Sequence, residues 1–337
     1  MGKARGRRPT KTVTLANYWH PIGTADDMTP EPKQFTLLGE QLVVFRDEQG
    51  VVVFKDLCIH RGTALSLGCV TNGRLICAYH GWEYDRTGAC VRIPALPDGA
   101  SIPRKARAIV YRAAEAYGLV WVAMDEPVQP IPPWPENAWE NPDYRVFMVG
   151  RFMWKSSAGR ATENSIDFAH FNFVHKGLTE LADGPVVKPY QVRETPFGLE
   201  YAYEDGRIRR EYTLYTPFTL HDTKFVMEAG KGGTWSEARA KKGDRTILTF
   251  IAAPTEAAAT HLYIFVARNH SLDVDDQEYA RSFDVILEQD RRIVESQRPE
   301  EIPTDLREEL HLKVPDASGI AYRTLLGRIK GIEPFLP

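Results

Sequence analysis

Apolar and polar positions alternate in short runs through the first part of the chain, break at a cluster of prolines, and resume in longer runs afterwards. Phe35–Phe45 (FTLLGEQLVVF), Val51–Phe54, Leu75–Ala78 and Tyr117–Met124 are rich in β-branched and aromatic residues. Turn signals such as Asp-Glu-Gln-Gly and Thr-Asn-Gly punctuate them. This spacing predicts a small antiparallel β domain. Pro127–Pro135 (PVQPIPPWP) then sets five prolines in nine residues. Proline lacks an N–H and holds φ fixed, so this stretch is neither a helix interior nor a central strand but a stiff connector.

Beyond the connector, Tyr144–Ser156 reads as a strand and Ala161–His175 as one or two helical turns. Leu199–Tyr203, Ile208–Tyr215, Phe225–Glu228, Thr246–Ala253 and His261–Arg268 follow as strands, with Asp205-Gly206 marking a hairpin turn. Gln277–Gln297 closes the series with helical periodicity and Pro299 stops it. Strands followed by a long helix predict an α+β fold. The expected division is 12–126, a linker at 127–137, and 138–337. No repeat or low-complexity tract interrupts it.

At 337 residues the chain is long enough for two domains with separate cores. A formal net charge of −3 argues against a nucleic-acid partner. Lys3, Arg5, Arg7, Arg8 and Lys11 are basic but not interleaved with aromatics, and read as a solvated terminus. Arg7-Arg8 lacks the apolar segment of an export signal, since Pro9 to Tyr18 supplies none. No stretch approaches the ~20 apolar residues of a membrane helix. A soluble, cytoplasmic protein with no membrane partner is expected. All four cysteines, Cys58, Cys69, Cys77 and Cys90, fall in one short segment. In a cytoplasmic chain such clustering points to metal ligands rather than disulfides.

Cys58-Ile59-His60-Arg61-Gly62 and Cys77-Ala78-Tyr79-His80-Gly81-Trp82 each supply one thiolate and one imidazole from a tight loop. A 2Fe–2S cluster of the Rieske kind needs two cysteines on one iron and two histidines on the other. Neutral imidazoles in place of thiolates reduce the cluster's negative charge and raise its potential. Gly62 and Gly81 let the backbone turn closely around the sulfurs. The same four residues could also hold zinc tetrahedrally. Cys69 and Cys90 have no matching histidine and read as ordinary buried or half-buried thiols. The string C-I-H-R-G…C-A-Y-H-G-W-E-Y resembles the Rieske domain of aromatic-ring-hydroxylating oxygenases. It departs from the respiratory Rieske proteins, whose cluster loops carry an extra disulfide-forming cysteine each; Ile59, Arg61 and Tyr79 stand here instead.

A second set lies in Asn164–His175, which packs Asn164, Asp167, His170 and His175 among aromatic residues. Asp167 and His170, three apart, would share a helix face. His170 and His175 are about 140° apart on a straight helix, so they converge only if the helix loosens or ends between them. Two histidines and one carboxylate form the facial triad of non-haem Fe(II) oxygenases. Asp290 is the candidate carboxylate, because it lies on the apolar stripe Tyr279, Phe283, Ile286, Leu287, Ile293, Val294, where an unpaired carboxylate is costly. A salt bridge to Arg291 or Arg292 is the alternative. N-x-x-D-x-x-H-x-x-F-V-H, from Asn164 to His175, resembles the mononuclear-iron motif of the same oxygenase family, and Asp290 matches its late carboxylate. The similarity spans nearly the whole chain.

That resemblance implies an N-terminal all-β Rieske domain and a C-terminal helix-grip catalytic domain. It implies a 2Fe–2S cluster on Cys58, His60, Cys77 and His80, and a mononuclear Fe(II) on His170, His175 and Asp290. Asp167 would link His80 of one subunit to His170 of the next in a trimeric ring, and would also orient His170. Asn164 would either hydrogen-bond near the iron or satisfy helix backbone. With no Gly-rich dinucleotide fingerprint, electrons would come from a separate NAD(P)H-dependent reductase, directly or by way of a ferredoxin. Length and tail resemble the phthalate dioxygenase, vanillate demethylase and toluenesulfonate monooxygenase group. O₂-dependent monooxygenation or demethylation of a small, aromatic substrate is expected, with ring cis-dihydroxylation as runner-up. A Rieske-type electron carrier would explain only the first half, and a helix-grip binding module only the second. His20, His221, His261, His270 and His311 carry no motif; His221 is the one expected near substrate.

Overall fold

Residues 12–97, 99–179, 181–182, 184–206, 208–227 and 241–329 are described by a computed structural model. The basic stretch Lys3 to Lys11, Glu228 and the last eight residues lie outside them.

The N-terminal half contains β1 (His20–Thr24), β2 (Lys33–Leu37), β3 (Glu40–Asp47), β4 (Gly50–Lys55), β5 (Cys69–Thr71), β6 (Arg74–Ile76), β7 (Glu83–Tyr84), β8 (Cys90–Arg92), β9 (Val110–Ala116) and β10 (Leu119–Ala123). They form a six-stranded sheet ordered β1-β10-β9-β4-β3-β2 and a four-stranded sheet ordered β5-β6-β7-β8. The run Phe35–Phe45 is therefore two strands. Leu38 and Gly39 both take positive φ and reverse the chain between them, a turn that a leucine does not advertise. Val43, Phe45, Phe54, Leu75 and Tyr84 pack around Cys58 and Cys77 in one core.

The C-terminal half contains β11 (Arg145–Trp154), α1 (Ala158–Ile166), α2 (Phe171–Val174), β12 (Val192–Thr195), β13 (Gly198–Asp205), β14 (Ile208–Tyr215), β15 (Thr219–Val226), β16 (Arg245–Glu256), β17 (Ala259–Arg268), α3 (Asp276–Val294) and α4 (Ala317–Leu326). Seven antiparallel strands run β11-β17-β16-β15-β14-β13-β12, and α3 packs on β11 and α1. The architecture is α+β. Asp275 starts α3 by accepting the N–H groups of Gln277 and Glu278, which satisfies donors left free by the first turn. Strand β15 begins at Thr219, well before the expected Phe225. Its alternation is disguised because Asp222 and Lys224 occupy the inward face. Among the described residues no helix is long and apolar enough to cross a membrane.

The two halves meet through a shared core, in which Leu119 and Trp121 pack with Ile247 and Tyr263, through the Asp27–Arg151 ion pair, and through the main chain. Leu38 N–H donates to Pro254 O at 2.9 Å and Gly39 N–H to Thr255 O at 2.7 Å, so the β2–β3 turn sits on the end of β16.

Buried charge ties α1 and α4 to the segment between α3 and α4. Arg323, 3% exposed, pairs with Glu163 at 2.6 Å and Glu309 at 2.7 Å, and the equally buried Arg160 pairs with Glu309 at 2.7 Å. Removing one partner strands the others in a low dielectric. Arg323→Ala is expected to lower stability by about 3–5 kcal/mol, seen as a lower urea midpoint. A loss below about 1 kcal/mol would mean that solvent screens the network.

Candidate functional site

The two Cys/His loops are built on one backbone plan. In the first, Cys58 N–H donates to Thr63 O and Gly62 N–H to Cys58 O; in the second, Cys77 N–H donates to Trp82 O and Gly81 N–H to Cys77 O. Each loop turns through its glycine at positive φ, +73° at Gly62 and +67° at Gly81, where a side chain would be strained. Both sulfurs are buried at the loop bases, and Cys58 Sγ lies 3.1 Å from the Tyr84 hydroxyl. Burial pushes the Cys77 thiol above its ordinary range. The imidazoles lie further out. His60 stacks on Trp82, 4.6 Å between ring centroids at 8°, and lies 4.6 Å from the exposed His80 ring.

Two observations test whether these residues fit a metal group. His60 Nδ1 is buried with no hydrogen-bond partner, a cost that a metal ligand does not bear. Among the described residues, the ligand atoms of no three of Cys58, His60, Cys77 and His80 lie mutually within 4.8 Å. A single zinc ion would need such convergence; a two-iron cluster needs a thiolate pair and an imidazole pair held apart. The set fits the cluster. Cys69 is exposed at the start of β5, not buried as expected, while Cys90 is buried and its thiol is pushed up to about 11 by burial.

His170, His175 and Asp290 bring one ligand atom each into a group whose members all lie within 4.8 Å. Asp290 Oδ1 is 3.6 Å from His170 Nε2 and 3.1 Å from His175 Nε2. That oxygen is buried. Three ligand atoms that converge in this way fit a cation between them. The competing salt bridge is not formed by Arg291, which pairs with Glu288 at 2.7 Å and Glu295 at 2.9 Å.

The helix expected through Ala161–His175 is broken earlier than the spacing suggested. Ser157 caps α1 by accepting Arg160 N–H, and the helix ends at Ile166, with Asp167 already extended at φ −90°, ψ 146°. Asp167 and His170 therefore do not share a helix face. Asp167 instead folds over the next turn: Oδ1 accepts Ala169 N–H, and Oδ2 accepts His170 N–H at 3.1 Å and lies 2.6 Å from His170 Nδ1. His170 and His175 then bracket the separate short helix α2. His80 packs on Tyr79 and His60, and no contact among the described residues joins it to Asp167.

A cavity of about 130 Å³ opens beside the triad. Leu248, Phe250, Phe283, Ile286 and Leu287 form an apolar wall, and Asn164 lines it on the α1 side. Its polar end was not foreseen. Arg210 and Asp222 form a buried pair at 2.5 Å, and His270 Nε2 meets Thr246 Oγ1 at 2.8 Å. His221 is not there. It lies on the opposite face of β15, its ring 5.7 Å from Trp134 and its Nδ1 2.8 Å from Thr249 Oγ1. Burial depresses its pKa to about 3, so it remains neutral. Strand parity was the available signal: Asp222, not His221, shares a face with Val226.

Residues 18–105 match the Rieske [2Fe-2S] domain family, and residues 154–330 match the vanillate O-demethylase oxygenase C-terminal domain family. The chain is 31% identical, over 94% of its length, to methylxanthine N1-demethylase of Pseudomonas putida, covering 89% of that protein. It is 32% identical, over 86% of its length, to the methylxanthine N3-demethylase of the same organism, covering 83% of it. A solved structure of the Pseudomonas putida N1-demethylase with caffeine superposes with a TM-score of 0.81 at 28% identity, covering 93% of this chain and 90% of that one.

Proposed function

Because this chain belongs to the Rieske non-haem iron oxygenases, we propose that its own reaction is the oxidative demethylation of a small, flat, N- or O-methylated ring compound. The chain is a terminal oxygenase, and its electrons come from a separate reductase. One observation carries the substrate reading: the converging triad opens on a cavity with an apolar wall and a polar end. An apolar wall selects a flat hydrophobic body, and a few polar groups fix its orientation.

Cys58, Cys77, His60 and His80 would hold the cluster, and His170, His175 and Asp290 the mononuclear iron. When bound, these centres supply one-electron transfer and the reductive activation of O₂. The chain's side chains do the rest. Asp167 holds the proton on His170 Nδ1 and so aims Nε2 at the triad. Phe250, Phe283 and Leu287 exclude water from the substrate face, while Asn164 and the Thr246–His270 pair are placed to orient polar substituents. Asp167 would also couple this site to His80 of a neighbouring subunit in a homotrimer; both residues being at least partly exposed favours that reading. The division 12–126, 127–137 and 138–337 belongs to the same proposal, the matched families lying on either side of the proline-rich connector.

Overall, one O₂, two electrons and two protons convert a methyl group to formaldehyde and water, leaving N–H or O–H on the ring. The test supplies a reductase, NADH and a panel of N- and O-methylated heterocycles to protein carrying its full iron. One formaldehyde per O₂ consumed is expected, on chains holding three irons and two acid-labile sulfides. A cis-diol product would instead make it a ring dihydroxylase, and two irons with no O₂ uptake would make it an electron carrier.

A further inference from the structure

Two consecutive residues of α3 grip one imidazole. Gln289 Oε1 lies 2.9 Å from His175 Nδ1, and Asp290 Oδ1 lies 3.1 Å from His175 Nε2. Neighbours on a helix point about 100° apart, so their side chains diverge and straddle the ring. His175 is 1% exposed on its side chain, so solvent does not compete for either nitrogen. An amide oxygen only accepts hydrogen bonds. With Oε1 facing it, Nδ1 is the nitrogen placed to donate, and Nε2 is the nitrogen turned toward Asp290 and His170.

The two histidines of the triad are thus held differently. His170 Nδ1 meets the carboxylate of Asp167 at 2.6 Å, whereas His175 Nδ1 meets a neutral amide. A carboxylate pulls harder on the ring proton and makes the opposite nitrogen a stronger donor. The amide orients the ring without adding a third negative charge to a site that already holds Asp167 and Asp290.

Resting on the reading of His170, His175 and Asp290 as iron ligands, we propose that Gln289 is a positioning residue that fixes His175 in its Nδ1–H tautomer and thereby sets the affinity of the triad for iron. Because Gln289 and Asp290 are adjacent on one helix turn, any shift of α3 moves the ligand carboxylate and the outer hydrogen bond together.

The experiment measures Fe(II) affinity of the full chain under anaerobic conditions by competition with a chelator. Acid-labile sulfide serves as an internal count of the cluster, and the unfolding midpoint of iron-depleted protein as a check on packing. Gln289→Leu should weaken iron binding about 10–100-fold with sulfide unchanged and the chain still folding cooperatively, its iron-depleted midpoint lowered because His175 Nδ1 loses its buried partner, and Gln289→Glu should restore the affinity. Gln289→Met, unbranched and without the amide, takes the place of the leucine variant if that does not fold. His175→Ala is the reference. Affinity within twofold of the parent in Gln289→Leu or Gln289→Met overturns the proposal. If His175→Ala has lost the iron in that experiment, only the role of Gln289 fails; if His175→Ala also keeps it, the triad itself is wrong.

Discussion

Asp290→Ala is expected to leave a chain with two irons and two sulfides that has lost its third iron, and to lower turnover by at least about 10³-fold. Among the described residues, Asp290 alone supplies a carboxylate oxygen that faces both Nε2 atoms, at 3.6 and 3.1 Å. Without it, two neutral imidazoles would have to hold a dication with no anion in direct contact. Metal analysis decides the point. A variant that kept its third iron would remove Asp290 from the site.

Asp167→Asn should keep all three irons and still lower product formation about 10²-fold. The two oxygens of Asp167 serve three donors: Ala169 N–H on Oδ1, and His170 N–H with the His170 ring on Oδ2. Asparagine has one acceptor oxygen and one donor nitrogen. Whichever way its amide turns, an N–H faces an N–H, either at Ala169 or at His170. The negative charge behind the His170 ring is lost as well. A single-turnover experiment starts from chemically reduced cluster and adds substrate and O₂. Cluster reoxidation about 10²-fold slower than in the parent is expected if Asp167 couples the two centres. Reoxidation at the parental rate, with iron content lowered, would confine Asp167 to orienting His170.

How much of this was legible in the sequence depends on how local each feature is. The Cys58–Gly62 and Cys77–Trp82 loops are self-contained hairpins, so ligands and turning glycines sit together in the string. Asp290 was legible because α3 is long enough for its apolar stripe to show a charged residue in the wrong place. The break at Asp167 was not. It comes from a side chain that captures the backbone of the next turn, and periodicity does not register a contact of that kind. The first part of strand β15 was missed for a functional reason, since Asp222 and Lys224 put polarity on a face that alternation expects to be apolar. Parity counted back from Val226 puts Asp222 and not His221 on its face, and one position of error turns a side chain to the other face. Gln289 had no signal at all: its partner lies 114 positions earlier in the chain.

The seam between the halves of the molecule combines side chains, the Asp27–Arg151 pair and a core shared by Leu119, Trp121, Ile247 and Tyr263, with a joint written in atoms common to every residue. At its centre, amides 38 and 39 give their hydrogens to carbonyls 254 and 255, and none of the four needs a particular side chain. Such a joint tolerates drift in composition but not in length. Relatives can exchange most residues at both turns and keep the same pose, whereas one inserted residue on either side would shift the pairing and tilt one half against the other. Chimaeras that graft one relative's N-terminal half onto another's C-terminal half should inherit the correct orientation when these two turns keep their lengths and the Asp27–Arg151 pair and the shared core match across the join.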